Sequence, residues 1–201
     1  MFRFREPLTA DIRDFLSNNA LTSFSYKDLG CTRGRSIPGF NTDRVRIQLG
    51  SGDIIFERAK RAVRDWRMFS IEWVKLCWPY KKLIPGTVVA VQAHHYGFYS
   101  LNAAKILYVI DEPQRFGFAY GTLINHVARG EELFLVYQEE DGKVWYELTA
   151  ISRPNHWLTW VFYPFMRRRQ SRFANDSLQA MLEAMIAEPK TRSSDSFTEP
   201  Q

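Results

Sequence analysis

Four histidines, two adjacent glutamates, two cysteines and a run of three arginines are the residues whose types invite chemistry. His94 and His95 are neighbours in an alternating stretch, so a strand sends their side chains to opposite faces and one ion cannot take both. No cysteine or carboxylate stands at a ligand spacing from either, and Cys31 and Cys77 form neither a metal spacing nor a disulfide framework. No metal and no cofactor are therefore expected. Glu131 and Glu132 are separated by the same strand geometry, which argues against an acid/base pair; Glu131 is expected to answer Arg115 or Arg129 at a hairpin base. Glu147 shares a strand face with Trp145 and Thr149, opposite Tyr146 and Leu148, and is expected to be an exposed cross-strand partner for Lys or Arg. Ser152 has no base nearby in sequence and no nucleophile elbow around it.

Two further features could bind rather than react. The run GSGDIIFERAK, starting at Gly50, places glycines ahead of a helix but lacks the remaining marks of a dinucleotide or phosphate loop. A tight strand-to-helix turn accounts for it better. Arg169 falls inside the apolar stripe of a C-terminal helix, among Phe162, Phe165 and Phe173, whereas Arg167 is expected to face solvent. Either Arg169 pairs with Asp176 or a sheet carboxylate, or it anchors the polar end of a ligand with Tyr120 and Tyr146 as companions.

The elements that must position these residues are legible from periodicity. Between residues 71 and 153 the segments WVKLCW, TVVAVQAHH, AAKILYVID, RFGFAYGT, EELFLVYQ and KVWYELTAIS alternate with the period of strands. Their short links, including Pro85-Gly86, Asp111-Glu112-Pro113 and Asp141-Gly142, permit only antiparallel neighbours. Phe116, Phe118 and Tyr120 share one face, with Gly117, Ala119 and Gly121 on the other. Leu133 to Tyr137 are apolar on both faces, so the convex side needs cover, assigned to part of the first forty residues. Upstream lie a helix over 9–19 capped by Thr9, a loop over 27–43, a strand RVRIQLG and a helix over 55–66. A last helix is expected over 156–174. Beyond Asp176 its stripe passes to Leu178, Met181, Leu182 and Met185, which predicts a kink or restart near 175–177.

Composition sets bounds on partners. The 201 residues include 15 phenylalanines, nine tyrosines and six tryptophans, which imply a heavy core or an aromatic-lined cavity. A net charge of +5 without a nucleic-acid signature leaves a basic surface and no nucleic-acid partner. WLTWVFYPFM, residues 157–166, is about half the length of a bilayer span. With the arginines after it, this run suits a buried helix end or a weak contact with an anionic membrane. The absence of a signal peptide and of a disulfide framework predicts a cytoplasmic setting. Nothing in the sequence indicates an oligomeric state.

A set of motifs carries a family resemblance: Tyr26-x3-Gly30-x-Thr32, Pro38-Gly39-Phe40, Leu49-Gly50-x-Gly52-x3-Phe56-x2-Ala59 and Trp66-Arg67-Met68-Phe69. Tyr108-Val109-x-Asp111-Glu112, the block from Arg115 to Leu123, Gly130-Glu131-Glu132-x-Phe134 and Ser152-Arg153-Pro154 complete it. Over roughly residues 24 to 180 the chain resembles uncharacterised protein family 0548. More distantly it is similar to START-like and plant-allergen-like proteins, which hold apolar molecules between a curved sheet and a long helix. One departure is Ile124-Asn125-His126, where a small turn residue is expected after Leu123. The resemblance implies an α+β helix-grip fold, a curved antiparallel sheet of about six to seven strands wrapped on a long C-terminal helix. On that basis residues 1–43 form an N-terminal helix and loop, 44–187 the helix-grip domain and 188–201 a disordered tail.

The function expected is non-catalytic binding of a small, mostly apolar molecule. Phe116, Phe118, Tyr120, Tyr146, Leu148, Phe162, Phe165 and Arg169 are the cavity candidates. A cyclase-like or isomerising enzyme on the same fold, using a tyrosine or histidine, is the alternative. A membrane-surface or partner-binding protein using the aromatic-basic C-terminal helix is the third.

Overall fold

The computed structural model describes residues 2–35, 37–77, 82–124, 126, 128–154 and 163–186. The alternating segments become strands β3 (Val74–Cys77), β4 (Val88–His95), β5 (Phe98–Glu112), β6 (Arg115–Thr122), β7 (Ala128–Gln138) and β8 (Lys143–Pro154). Ahead of them come β1 (Phe2–Arg3), helix α1 (Thr9–Asn19), β2 (Asn41–Ser51) and helix α2 (Asp53–Arg64); helix α3 (Tyr163–Ile186) follows. The sheet is antiparallel with the order β2-β8-β7-β6-β5-β4-β3, and β1 pairs with β5. Among the described residues the main path holds seven strands, as expected, and the two-residue β1 lies off it beside β5. β3 to β8 form the predicted meander, and β2 closes beside β8 with Val45 opposite Leu148 and Ile47 opposite Tyr146. The glycine pair of the strand-to-helix turn is used by the fold: the Gly52 N–H donates to the Gly142 carbonyl at 2.9 Å.

The inner face of this curled sheet carries α2 and α3. Phe116, Phe118 and Tyr120 point into it, as their alternation predicts, and join Phe134, Val136, Tyr146 and Leu148 in the main core. Trp66, just past the end of α2, holds a left-handed backbone (φ 56°) that aromatic residues rarely adopt. Its buried indole, 4.4 Å from Phe118, over-determines that conformation. Phe69 follows in a 3-10 turn and reaches Phe134 at 5.5 Å and Phe173 of α3 at 5.4 Å.

Helix α3 runs without a break through residues 175–177, contrary to the expected kink or restart. Its inward line passes through Met166, Gln170, Phe173, Ser177, Met181 and Met185, spaced as one helical face. The polar Gln170 and Ser177 hide that line from an apolar count. Ser177 is fully buried and shares a 2.8 Å hydrogen bond with the Tyr146 hydroxyl. Asp176 accepts the Trp73 indole N–H at 2.7 Å. The expected helical segment 156–162 lies outside the described residues, as do Trp78 and the tail from 187.

The N-terminal segment covers the outer face. Ile12, Phe15 and Leu16 of α1 pack with Cys77, Ala90 and Leu101. Helix α1 starts at Thr9, and the box residue is Asp11, whose carboxylate accepts the Leu8 N–H at 2.9 Å. Residues 24–33 cross β6–β8. Gly121 makes that approach possible, since a Cβ there would lie 2.4 Å from the Tyr26 hydroxyl. Glu131 fastens the segment: it is buried and accepts N–H groups of Gly30 (2.6 Å), Cys31 (3.2 Å) and Thr32 (3.3 Å), with the Thr32 hydroxyl at 2.7 Å. Gly30 supplies the positive φ of 79° that turns those N–H groups inward.

Three charge assignments from sequence are thereby corrected. Glu131 meets backbone rather than Arg115 or Arg129, because its face is covered. Glu147 does pair across strands, with Arg44 at 2.7 Å, but its side chain is only 4 % exposed. Arg167 does not simply face solvent; it grips Asp43 of β2, with one N–O distance of 2.6 Å.

Phe118 touches rings on two sides in a close-packed core, so Phe118→Ala leaves a cavity that neighbours cannot fill. A loss of about 3 to 5 kcal/mol is expected in chemical denaturation, and a loss below about 1 kcal/mol would contradict this packing.

Candidate functional site

Trp66 and Phe69 fill the inner face over β6 to β8, but small residues line it further along. Ala93 of β4 and Ser100 and Ala104 of β5 face Met166, Arg169, Gln170 and Phe173 of α3 across a cavity of about 790 Å³. Phe69 and Trp73 also line it, and the exposed rings of Phe4 and Phe165 form its rim. The wall is mostly apolar, with a few polar groups converging on it, as in small-molecule sites.

One polar cluster lies where α3 meets β4. A terminal nitrogen of Arg169 donates to the His94 carbonyl at 2.8 Å and to His95 Nδ1 at 2.8 Å. Its guanidinium carbon sits 4.2 Å from the centre of the Trp73 ring. With Nδ1 accepting, His95 carries its proton on Nε2 and donates to Ser100 Oγ at 2.9 Å, which also accepts from Asn102 Nδ2 at 3.1 Å. Arg169 Nε and Asn102 Oδ1 are buried with no hydrogen-bond partner among the described residues. Burial, then the charge of Arg169, pushes His95 down to about 4; burial also lowers Arg169 itself.

A second cluster faces it from β6 and β7. The Tyr120 hydroxyl donates to Glu132 at 2.5 Å. Burial raises Glu132 above the usual carboxylate range and Tyr120 well above its own. His126 lines the same cavity, is lowered to about 4 by burial, and accepts the Ala128 N–H at 3.0 Å.

Of the residues singled out in the sequence, Tyr120, Phe165 and Arg169 line this space. Phe116, Phe118, Tyr146 and Leu148 lie instead in the packed core beside it. The Tyr146 hydroxyl is engaged by Ser177, and Phe116 lies under Arg64 at 4.3 Å. Phe162 lies outside the described residues. Arg169 pairs with neither Asp176 nor any sheet carboxylate among the described residues.

Sequence reasoning missed His95, Ser100, Asn102 and Glu132 as cavity residues. The alternation of Ser100, Asn102 and Ala104 carried the signal, because a strand opposite Tyr120 should be apolar on that face. His94 and His95 do point apart: His94 stacks on Tyr99 at 4.6 Å. No group of three potential metal ligands exists among the described residues.

A family model described as "Domain of unknown function (DUF1990)" matches residues 25–180. The chain belongs to the DUF1990 family. The "UPF0548 protein" of Dictyostelium discoideum is 32 % identical over 96 % of this DUF1990 chain and 99 % of its own length. The protein of the same name from Deinococcus radiodurans is 35 % identical over 76 % of this chain and 83 % of its own. The crystal structure of hypothetical protein jhp0584 from Helicobacter pylori shares the fold, with a TM-score of 0.51 at 11 % identity over 83 % of this chain and 95 % of that one. A looser overlap, with a TM-score of 0.45 at 16 % identity, covers 74 % of this chain and 99 % of Ara h 8.0201. No helix among the described residues of the DUF1990 chain is long and apolar enough to cross a membrane.

The buried imidazoles fix a pH response. His95 and His126 titrate near 4 when folded against an ordinary 6.5. Between those values the unfolded chain binds protons that the folded chain refuses, so stability present above pH 6.5 is lost as pH falls towards 4. Glu132, shifted upward, has the opposite sign and moderates the slope. Melting temperature is expected to drop across this window, and less steeply in His95→Gln. Parallel slopes in thermal melts would exclude a neutral buried His95.

Proposed function

We propose that the protein binds a small, mostly apolar molecule in the cavity between β4–β7 and α3, without transforming it. The observation that carries this reading is a space of about 790 Å³ whose apolar wall holds a few oriented polar groups. That size falls in the range of drug-sized ligand pockets, and a preformed apolar wall binds by displacing water. The polar groups act as orienting contacts: Arg169, Ser100 and Asn102 near α3, and Glu132 opposite. A small molecule is the partner this proposal names, and it requires no cofactor.

One observation favours a second reading, an isomerising or cyclase-like enzyme. Glu132 is a carboxyl group raised by burial and hydrogen-bonded to Tyr120 inside the cavity, the kind of setting from which a general acid or base can act.

Native mass spectrometry of the purified protein tests the first reading directly. A retained small molecule is expected in the wild type. It should be lost in Ala104→Trp, which fills the space from the inner face of β5. Protein of apo mass, together with no gain in melting temperature from neutral apolar probes, would overturn the binding reading. A bound molecule whose chemical structure changes on incubation, read by chromatography and NMR of the extracted compound, unless Glu132 is replaced by Gln, would favour the enzyme.

A further inference from the structure

Among the described residues, the charged groups facing the cavity are not all held in ion pairs. Arg3 is held by Asp11 at 2.8 Å, and Glu132 is hydrogen-bonded by Tyr120. His95 and His126, lowered to about 4, are neutral at neutral pH. Arg169 is left. The acid nearest to it along α3, Asp176, is engaged by the Trp73 indole N–H at 2.7 Å and by Arg172 at 3.4 Å. Arg172 also lies over the Trp73 ring, at 5.2 Å, so the aromatic platform carries two guanidinium groups and one carboxylate.

The partners Arg169 does have are a carbonyl, a neutral imidazole and a ring face. These orient the guanidinium without cancelling its charge. Its Nε is buried and has no hydrogen-bond partner among the described residues. Arg169 is half-buried, and a guanidinium partly withdrawn from water gains from meeting an anion; a charge-assisted hydrogen bond to a carboxylate is among the strongest available.

We infer that the ligand is an apolar monocarboxylic acid whose carboxylate meets Arg169 while its hydrocarbon body fills the space towards Phe69 and Ala104. This rests on the binding reading above. One guanidinium without an ion-pair partner among the described residues matches a monoanion better than a phosphate dianion, which calls for more than one cation. Asn102 Oδ1, an acceptor without a partner, adds a place for a hydroxyl on the same molecule.

Calorimetric titration with lauric acid, lauryl alcohol and methyl laurate at neutral pH separates the two levels of the argument. The acid is expected to bind about tenfold more tightly than the ester, the step worth one charge-assisted contact. In Arg169→Gln the acid-to-ester ratio should fall to near one, and Arg169→Lys, which keeps the charge but not the fork, should retain part of the preference. Thermal melts establish that each variant is folded; if the Gln variant is not, the Lys variant must still show a reduced ratio. Equal binding of all three compounds to the wild type, or a ratio unchanged in both variants, overturns the carboxylate assignment and leaves the cavity reading standing. If none of the three binds, both fall together.

Discussion

The wedge formed by Trp66 and Phe69 decides which part of the inner face is solid. α3 alone does not fill the hollow of the curled sheet. Over β6 to β8 the hollow is filled by rings: Trp66 on Phe118, and Phe69 between Phe134 and Phe173. Towards β4 and the first half of β5, Trp73 and Phe98 border the space without filling it, and the strands present Ala93, Ser100 and Ala104. Moving bulk from the solid part to the open part would erase the cavity without changing the topology. The left-handed backbone at Trp66 is the local strain that the wedge sustains, and it persists because the indole has nowhere else to go.

Strand β7 joins this interior to the outer cover. Glu131 points outward into the N–H groups of residues 30–32, and Glu132 points inward towards Tyr120. The adjacency that argues against a shared acid/base role gives each carboxylate its own task. One acts as a fastening, since removing it would strand several buried donors. The other is a polar group held at the cavity wall. A bulge after Ile106 in β5 assists the fastening by turning Tyr108 outward, where its hydroxyl lies 2.7 Å from Thr32 Oγ1.

Much of the fold was legible because period two is hard to counterfeit: the strands, their antiparallel pairing and the inward facing of Phe116, Phe118 and Tyr120 all followed from it. The motif block from Arg115 to Leu123 carried the family as well. The site was less legible, for two physical reasons. Face assignment does not reveal whether a ring meets another ring or empty space, so Phe118 and Tyr120 read alike although only Tyr120 reaches the cavity. Polar residues on an inner face, such as Asn102 and Ser177, break an apolar pattern and disappear from it. The continuous α3 was misread as broken for that reason. Glu147 was placed in solvent because pairing with Arg44 says nothing about what covers the carboxylate.

The two-residue β1 lies against β5 with Phe2 opposite Ser100 and Arg3 opposite Tyr99. Arg3 and Phe4 then continue onto the cavity wall and its rim. The opening is thus framed partly by Arg3 and Phe4. A purification handle fused ahead of Phe2 would sit at the doorway, and it would alter access for small molecules even where it left the melting curve untouched.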